Sequence, residues 1–122
     1  MKCDNMIGSP DYTSLISACT DKDAYAASDT SIKLWINYGV PNAEGGLKTD
    51  FTAALEFWDG SNWMAVELQT GSITTVTSPS STKTFSLTGK SAGSYRFKIY
   101  YSGKLLQGGT AINQTYAFVV AR

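Results

Sequence analysis

Two glutamates, Glu56 and Glu67, are the residues of this sequence best suited to general acid–base chemistry. They occur in adjacent apolar segments, FTAALEFW and WMAVEL, on either side of a short turn. Two carboxylates on one face of a hairpin could imitate the acid and base of a glycoside hydrolase. The alternative is cross-strand ion pairing with Arg96 and Lys98 of a neighbouring strand, since exposed sheet faces normally carry mixed charges. We favour the ion pairs and expect no enzymatic activity.

Histidine-dependent nucleophile systems and zinc motifs are excluded by composition, because the chain contains no histidine. Ser-His-Asp and Cys-His systems and HExxH zinc sites all require it. The two cysteines, Cys3 and Cys19, are too few for a four-cysteine zinc site. They could form a disulfide that ties the N-terminal segment to the first strand, or remain free thiols with Cys19 partly buried.

Three aspartates near one turn, Asp21, Asp23 and Asp29, could chelate calcium through hard carboxylate oxygens. The segment lacks the glycine-punctuated ligand loop of a calcium site. We therefore expect these aspartates to form local hydrogen bonds with the backbone of a solvated turn. No metal and no cofactor is predicted.

Length and charge limit the remaining function classes. A chain of 122 residues fits one domain with a core of its own. Lys+Arg and Asp+Glu both number 10, so no net field attracts nucleic acid or an anionic membrane. No apolar run approaches the ~20 residues of a membrane span. The N-terminus lacks the apolar region of a signal peptide.

Alternating hydrophobicity predicts strands from residue 30 onward, separated by Gly- and Ser/Thr-rich turns. Before residue 30 two interpretations compete. Residues 9–19 could form a helix capped by Ser9, or residues 13–20 could form a first strand. We favour the strand, because short segments with regular turns are typical of an antiparallel sandwich. The inward side chains predicted for the later strands are Ile32, Leu34, Ile36, Phe51, Leu55, Phe57, Met64, Val66, Leu68, Phe85, Leu87, Tyr95, Phe97, Ile99, Tyr101, Tyr116, Phe118 and Val120.

The segment FWDGSNW, residues 57–63, predicts a hairpin with a defined register. Gly60 at the first central position suits a type II′ turn, which places Trp58 opposite Trp63 and Phe57 opposite Met64. Both tryptophans, with Glu56 and Glu67, then lie on the outer face of the sheet. Stacked tryptophans can stabilise a hairpin by themselves, and they can also form an interaction surface.

The turn and corner residues resemble those of bacterial immunoglobulin-like and fibronectin type III domains. Thr20-Asp21-Lys22, followed by Tyr25 and Asp29, is similar to the first turn of such domains, although Ser28 stands where glycine is usual. TFSLTGKSAGSYRF is similar to their E–F corner, in which a tyrosine, here Tyr95, hydrogen-bonds back to the backbone. The resemblance implies a single antiparallel Ig-like, fibronectin type III-like β-sandwich of about seven to eight strands. It would span residues 13–122, after an N-terminal arm at residues 1–12.

The same resemblance implies that the strand beginning at Tyr95 (strand F of these domains) lies beside the strand of residues 51–58 (their strand C). An interaction face is then expected, with Trp58, Trp63 and Tyr100 surrounded by Glu56, Glu67, Arg96 and Lys98. We expect a non-catalytic structural module that self-assembles or binds a protein partner. It would be a phage decoration or tail protein, or part of a bacterial surface structure, located on a virion or outside the cell. The alternative is a carbohydrate- or ligand-binding module whose aromatic rings stack on a glycan.

Overall fold

The computed structural model describes residues 4–7, 16–38, 48–74, 80–103 and 110–122, and these residues form strands and turns without any helix. Apolar and polar residues alternate along the longer strands, as a half-buried sheet requires. The strands are β1 (Asp4–Ile7), β2 (Ile16–Thr20), β3 (Ala24–Tyr25), β4 (Ser31–Tyr38), β5 (Lys48–Trp58), β6 (Trp63–Thr74), β7 (Ser80–Ser86), β8 (Gly93–Gly103), β9 (Thr110–Thr115) and β10 (Phe118–Val120).

These strands form two sheets. The smaller sheet has the order β2-β4-β7, with antiparallel pairing throughout. In the larger sheet β6, β5 and β8 are successive neighbours. On the side of β8 away from β5, β10 pairs with residues 93–95 and β9 pairs with residues 98–102. β1 pairs with β9, and β3 pairs with β10 in the one parallel ladder among the described strands. The predicted position of β8 beside β5 is confirmed.

Both sheets contribute side chains to one hydrophobic core, as two facing sheets do. The inward side chains predicted for β4, β7 and β8 are buried at Ile32, Leu34, Ile36, Phe85, Tyr95, Phe97, Ile99 and Tyr101, and so are Phe118 and Val120 of β10. The larger members of the core are Ile16, Tyr25, Ile32, Leu34, Ile36, Phe51, Leu55, Ile73, Phe85, Leu87, Tyr95, Phe97, Ile99, Tyr101, Phe118 and Val120. The all-β prediction with two sheets is therefore confirmed.

The strand count differs from the predicted seven to eight, since ten segments are described. β9 and β10 are separated by Tyr116 and Ala117, and β1 and the two-residue β3 are additional. The prediction that Tyr116 points inward is wrong: it lies in this interruption and is 56% exposed. In the ambiguous N-terminal region, residues 16–20 form the strand β2, and residues 8–15 lie outside the described residues. Residues 4–7, assigned above to an arm, pair with β9 in the larger sheet.

The predicted core positions of Met64, Val66 and Leu68 are wrong, and a β-bulge in β6 changes the face of the residues that follow it. Glu56 pairs with Ala65, but Leu55 pairs with Glu67, so Val66 is an extra residue in its strand. An inserted residue reverses the alternation of all that follow. Leu68, which follows the bulge, accordingly faces outward and is 61% exposed. Met64 precedes the bulge and lies opposite Phe57, as predicted, but on this edge strand it is 50% exposed, and Val66 is 46% exposed.

Beyond the bulge, the residues of β6 that alternate with Leu68 point into the core. Ile73, opposite Thr49, is buried. Gly71 lies opposite Phe51, and a Cβ built at Gly71 would be 2.6 Å from the Phe51 Cζ atom. The inner side of β6 therefore requires glycine at position 71 for the Phe51 ring to fit.

Tyr95 forms the predicted corner. Its ring is buried, and its hydroxyl donates a hydrogen bond of 2.6 Å to the Ser91 carbonyl oxygen four residues earlier. Burial raises the pKa of Tyr95, so the hydroxyl remains a protonated donor over a wide pH range. The predicted bond from Tyr95 to the backbone is confirmed, and it holds the turn before β8 against the core.

Tyr95→Phe should lower the free energy of unfolding by about 1–2 kcal/mol, because the Ser91 carbonyl loses its partner in a partly buried place. Urea denaturation monitored by tryptophan fluorescence measures this change. Tyr100→Phe is the matched control, since that ring is 42% exposed, and it should change stability by less than about 0.5 kcal/mol. Equal effects of the two variants would contradict a special role for the Tyr95 hydroxyl.

Candidate functional site

The turn that positions the two tryptophans is held by Asp59. Its Oδ1 atom accepts hydrogen bonds from the amides of Ser61 and Asn62, at 2.8 and 2.7 Å. The Asp59 amide donates to the Asn62 carbonyl oxygen at 3.0 Å, and Gly60 has a φ of +103°, which favours glycine. The bonds from the Asn62 and Ser61 amides lower the pKa of Asp59 and keep it ionised. Local chemistry thus fixes the predicted hairpin.

Trp58 and Trp63 lie directly opposite each other, as predicted. Their ring centroids are 5.5 Å apart, and the ring planes make an angle of 54°. Trp58 is 39% exposed and Trp63 is half-buried. The guanidinium carbon of Arg96 lies 4.4 Å from the Trp63 ring centroid. One surface of Trp63 is therefore covered by a cation, while Trp58 remains accessible.

Arg96 is held over Trp63 by a largely buried ion pair with Glu56. The two residues are cross-strand neighbours on β8 and β5, and the Arg96 Nε atom donates to Glu56 Oε1 at 2.7 Å. The side chains are only 17% and 11% exposed, respectively. The pairing predicted for Glu56 is confirmed. Arg96 thus links a carboxylate on one side to an aromatic ring on the other.

Lys98 and Tyr100 continue the outer side of β8 away from the tryptophans. Lys98 lies opposite Ala54 and Tyr100 opposite Thr52. The Lys98 Nζ atom is 5.6 Å from the centroid of the Tyr100 ring. We call the six outward residues Trp58, Trp63, Glu56, Arg96, Lys98 and Tyr100 the tryptophan face.

Glu67 does not belong to the tryptophan face, and its predicted position beside Glu56 is wrong. The bulge pairs it with buried Leu55, so it lies on the opposite side of the sheet. Its carboxylate accepts hydrogen bonds from Lys90 Nζ at 2.7 Å and Gln69 Nε2 at 3.1 Å. The Gln69 amide also donates to the Thr84 carbonyl oxygen of β7. These bonds connect the β6 edge to the smaller sheet.

The pKa of Glu67 is lowered overall. Burial acts in the opposite direction and raises it, but the hydrogen bonds from Lys90 and Gln69 and the charge of Lys90 lower it by more. The ionised form is therefore the one that the folded protein stabilises.

Cys19 lies on the outer side of the smaller sheet, opposite Trp35, and is disulfide-bonded. Cys3 is the only other cysteine of the chain, and it lies outside the described residues. The disulfide fastens β2 covalently on the side away from the core.

The aspartates near the first turn act through hydrogen bonds. Asp21 accepts from the Tyr25 hydroxyl at 2.6 Å and from the Lys33 amide at 3.0 Å. Asp29 accepts from the Ala26 amide and pairs with Lys22. Within the described ranges, no group of three or more His, Cys, Asp or Glu residues could hold a metal ion.

The exposed edge strand β6 is the surface that the sequence pattern did not reveal. Among the described strands it pairs with β5 alone, and it exposes Met64, Val66 and Leu68. The sequence did contain a signal, because Ile73 and Gly71 occupy odd-numbered positions, whereas these three residues occupy even-numbered ones. A phase change within one strand requires a bulge between them.

The chain matches no protein-family model and no curated protein. Among the residues that the structure describes, no helix has the length and hydropathy to span a bilayer.

Arg96→Met should lower the free energy of unfolding by about 2 kcal/mol, because the largely buried Glu56 side chain loses its ion-pair partner. Urea denaturation at neutral pH measures this change. Adding Glu56→Gln should recover part of the loss, since no unpaired charge then remains. Asp50→Asn is the control, because it removes only the 3.6 Å pair with Lys48 at an exposed site. A loss for Asp50→Asn as large as that for Arg96→Met would contradict this account.

Glu67→Gln should destabilise the protein by about 1 kcal/mol at pH 7. Because the folded pKa lies below the ordinary value of 4.5, the stabilisation is present above pH 4.5 and is lost as the pH falls through the folded pKa. The wild type and Glu67→Gln should therefore converge in stability in acid. Thermal unfolding at pH 7, 5 and 3 measures the difference, and a gap that is constant across this range would contradict the ion pair's role.

Proposed function

We propose that this protein is a non-catalytic structural module that self-associates through its β6 edge and the tryptophan pair beside it. We propose further that its sandwich is Ig-like, of the fibronectin type III kind. The order β2-β4-β7 facing β6-β5-β8-β9 supports this fold. So does the hydrogen bond from Tyr95 to Ser91, which is typical of its E–F corner.

The observation that carries the proposal is the row of exposed apolar side chains along one sheet edge. Met64, Val66 and Leu68 are each at least 46% exposed, and Trp58 of the neighbouring strand is 39% exposed. Folded proteins rarely leave such a set together without a function. An edge strand also offers backbone groups to a further strand, which makes pairing between copies the natural use of β6.

The charge pattern favours association as well. The chain carries no net charge, so copies do not repel one another at long range. The ion pairs Arg96–Glu56 and Lys90–Glu67 already neutralise charges beside the apolar row. Bringing two such surfaces together removes apolar area from water without leaving these ions unpaired.

The setting that we propose is a virion, as a decoration or tail protein, or a bacterial surface structure. The disulfide-bonded state of Cys19 supports an oxidising location, because disulfides persist on virions and outside cells and are rare in reducing compartments. A small sandwich with a neutral surface suits a repeated subunit of such a particle.

A carbohydrate-binding module remains the second candidate, but the tryptophan pair supports it weakly. A pair of rings that holds a sugar chain should present free surfaces in similar orientations. Here the ring planes are tilted by 54°, and Arg96 covers Trp63. Tyr100, at 42% exposure, is the aromatic residue of this sheet that supports the second candidate best.

Light scattering over a concentration range, with electron microscopy of the products, tests self-association. The wild type should form oligomers as concentration rises, and Trp58→Thr with Leu68→Thr should remain monomeric at unchanged thermal stability. Val119→Thr is the matched control, since Val119 is 56% exposed on β10, away from β6. A wild type that stays monomeric at millimolar concentration would overturn the proposal.

Replacing both Trp58 and Trp63 by Thr separates an interface from a purely local role. Lost association at unchanged stability supports the interface. A large loss of stability in the double variant, with association unchanged in Trp58→Thr alone, would show that the rings serve the hairpin.

A further inference from the structure

A groove lies on the outer side of the larger sheet, on the part of β5 and β8 remote from the tryptophan pair. Its volume is about 570 Å³, within the range of small-molecule sites. Its walls come from β5, β6, β8 and β9. Neither tryptophan lines it, so it is a different surface from the one proposed above for association.

Two ladder rows of the sheet form the floor of the groove. The first row contains Thr52, Tyr100 and Ile112, which are successive cross-strand neighbours. The second contains Asp50 with Ser102 on one side and Ser72 on the other. Four adjacent strands cover about 14 Å, because neighbouring strands lie about 4.8 Å apart. The floor is therefore broad enough for a chain-like ligand to lie across the strands.

The chemistry of these residues is that of a site for hydroxyl groups. Thr52, Ser72 and Ser102 carry hydroxyls that can donate and accept, and the Asp50 carboxylate accepts only. Tyr100 supplies a ring that is 42% exposed. The negative face of an aromatic ring attracts the C–H groups on the apolar side of a pyranose. The backbone groups of β5 and β8 are already paired within the sheet, so the side chains of these two strands provide the contacts.

Charge limits the ligand to a neutral one. Among the described residues that line the groove, Asp50 is the charged one, and its side chain is 65% exposed with Lys48 at 3.6 Å. This carboxylate would repel an anionic ligand. A cationic ligand would have a single exposed partner, which already pairs with Lys48. A neutral polyol meets neither obstacle.

We propose that this groove binds a neutral saccharide, with Tyr100 stacking on a sugar ring and Asp50, Thr52 and Ser102 bonding to its hydroxyls. The proposal is independent of self-association through β6, because the groove and the apolar row use different residues. A module could then attach to a glycan-bearing surface while its edge contacts other copies.

The test is a printed glycan array that includes neutral and acidic oligosaccharides, followed by titration calorimetry with the best neutral oligosaccharide. We expect binding to neutral glycans, a loss of about tenfold or more in affinity for Tyr100→Ala, and near-complete recovery for Tyr100→Phe, which retains the ring. Thr52→Val should weaken binding several-fold at unchanged fold. The matched control Val119→Thr, at an exposed position that does not line the groove, should bind as the wild type does.

Three results would overturn the proposal. One is the absence of any neutral glycan bound at millimolar concentration by protein shown to be folded through its thermal transition. Another is binding confined to acidic glycans. The last is affinity that survives Tyr100→Ala but falls with Trp58→Thr, which would move the site to the tryptophan pair. Failure of the association test above would leave these outcomes unchanged.

Discussion

The single extra residue at Val66 determines how the larger sheet divides its side chains between the core and the solvent. Before it, β6 and β5 place Trp63 and Trp58 on the outer side. Beyond it, Ile73 and Gly71 face inward while Leu68 and Thr70 face outward. The change of phase also turns Glu67 toward Lys90 and the smaller sheet. The outward position of Leu68 and the link between the sheets through Glu67 both depend on this one irregularity.

The outer side of the sheet is organised around Arg96. A guanidinium in a largely buried place is costly unless its charge and donors find partners. Glu56 supplies a carboxylate and Trp63 an aromatic surface, so this cation is satisfied within the fold. The consequence for recognition is that Trp58, rather than Trp63, is the accessible member of the pair. Farther along β8, Tyr100 offers another ring beside hydroxyl groups, which separates the two proposed surfaces.

Features with strictly local causes could be predicted from the sequence. The hairpin at residues 57–63 follows from Asp59 and Gly60, and the inward residues of β4 and β8 follow from unbroken alternation. Tyr95 was identifiable through the resemblance of residues 84–97 to an E–F corner, and its partner lies only four residues away. The faces of β6 were not predictable in the same way, because Met64, Val66 and Leu68 alternate as convincingly as a buried strand does. Only their conflict with Ile73 marked the bulge. The prediction for Tyr116 was wrong for a related reason. The interruption between β9 and β10 is set by the strands with which they pair, and not by the residues of the interruption itself.

The pairing of early strands with late ones has a consequence for how the molecule is made. β1 and β3 come from the first quarter of the chain, yet their partners are β9 and β10. Phe118, in β10, packs against Tyr25, Tyr95 and Phe97 in the core. The larger sheet therefore cannot close until residues 118–120 have left the ribosome, and such distant contacts make folding slow. Until then the core side of β8 lacks the cover that Phe118 gives it in the folded protein, and exposed strands of this kind are prone to premature pairing.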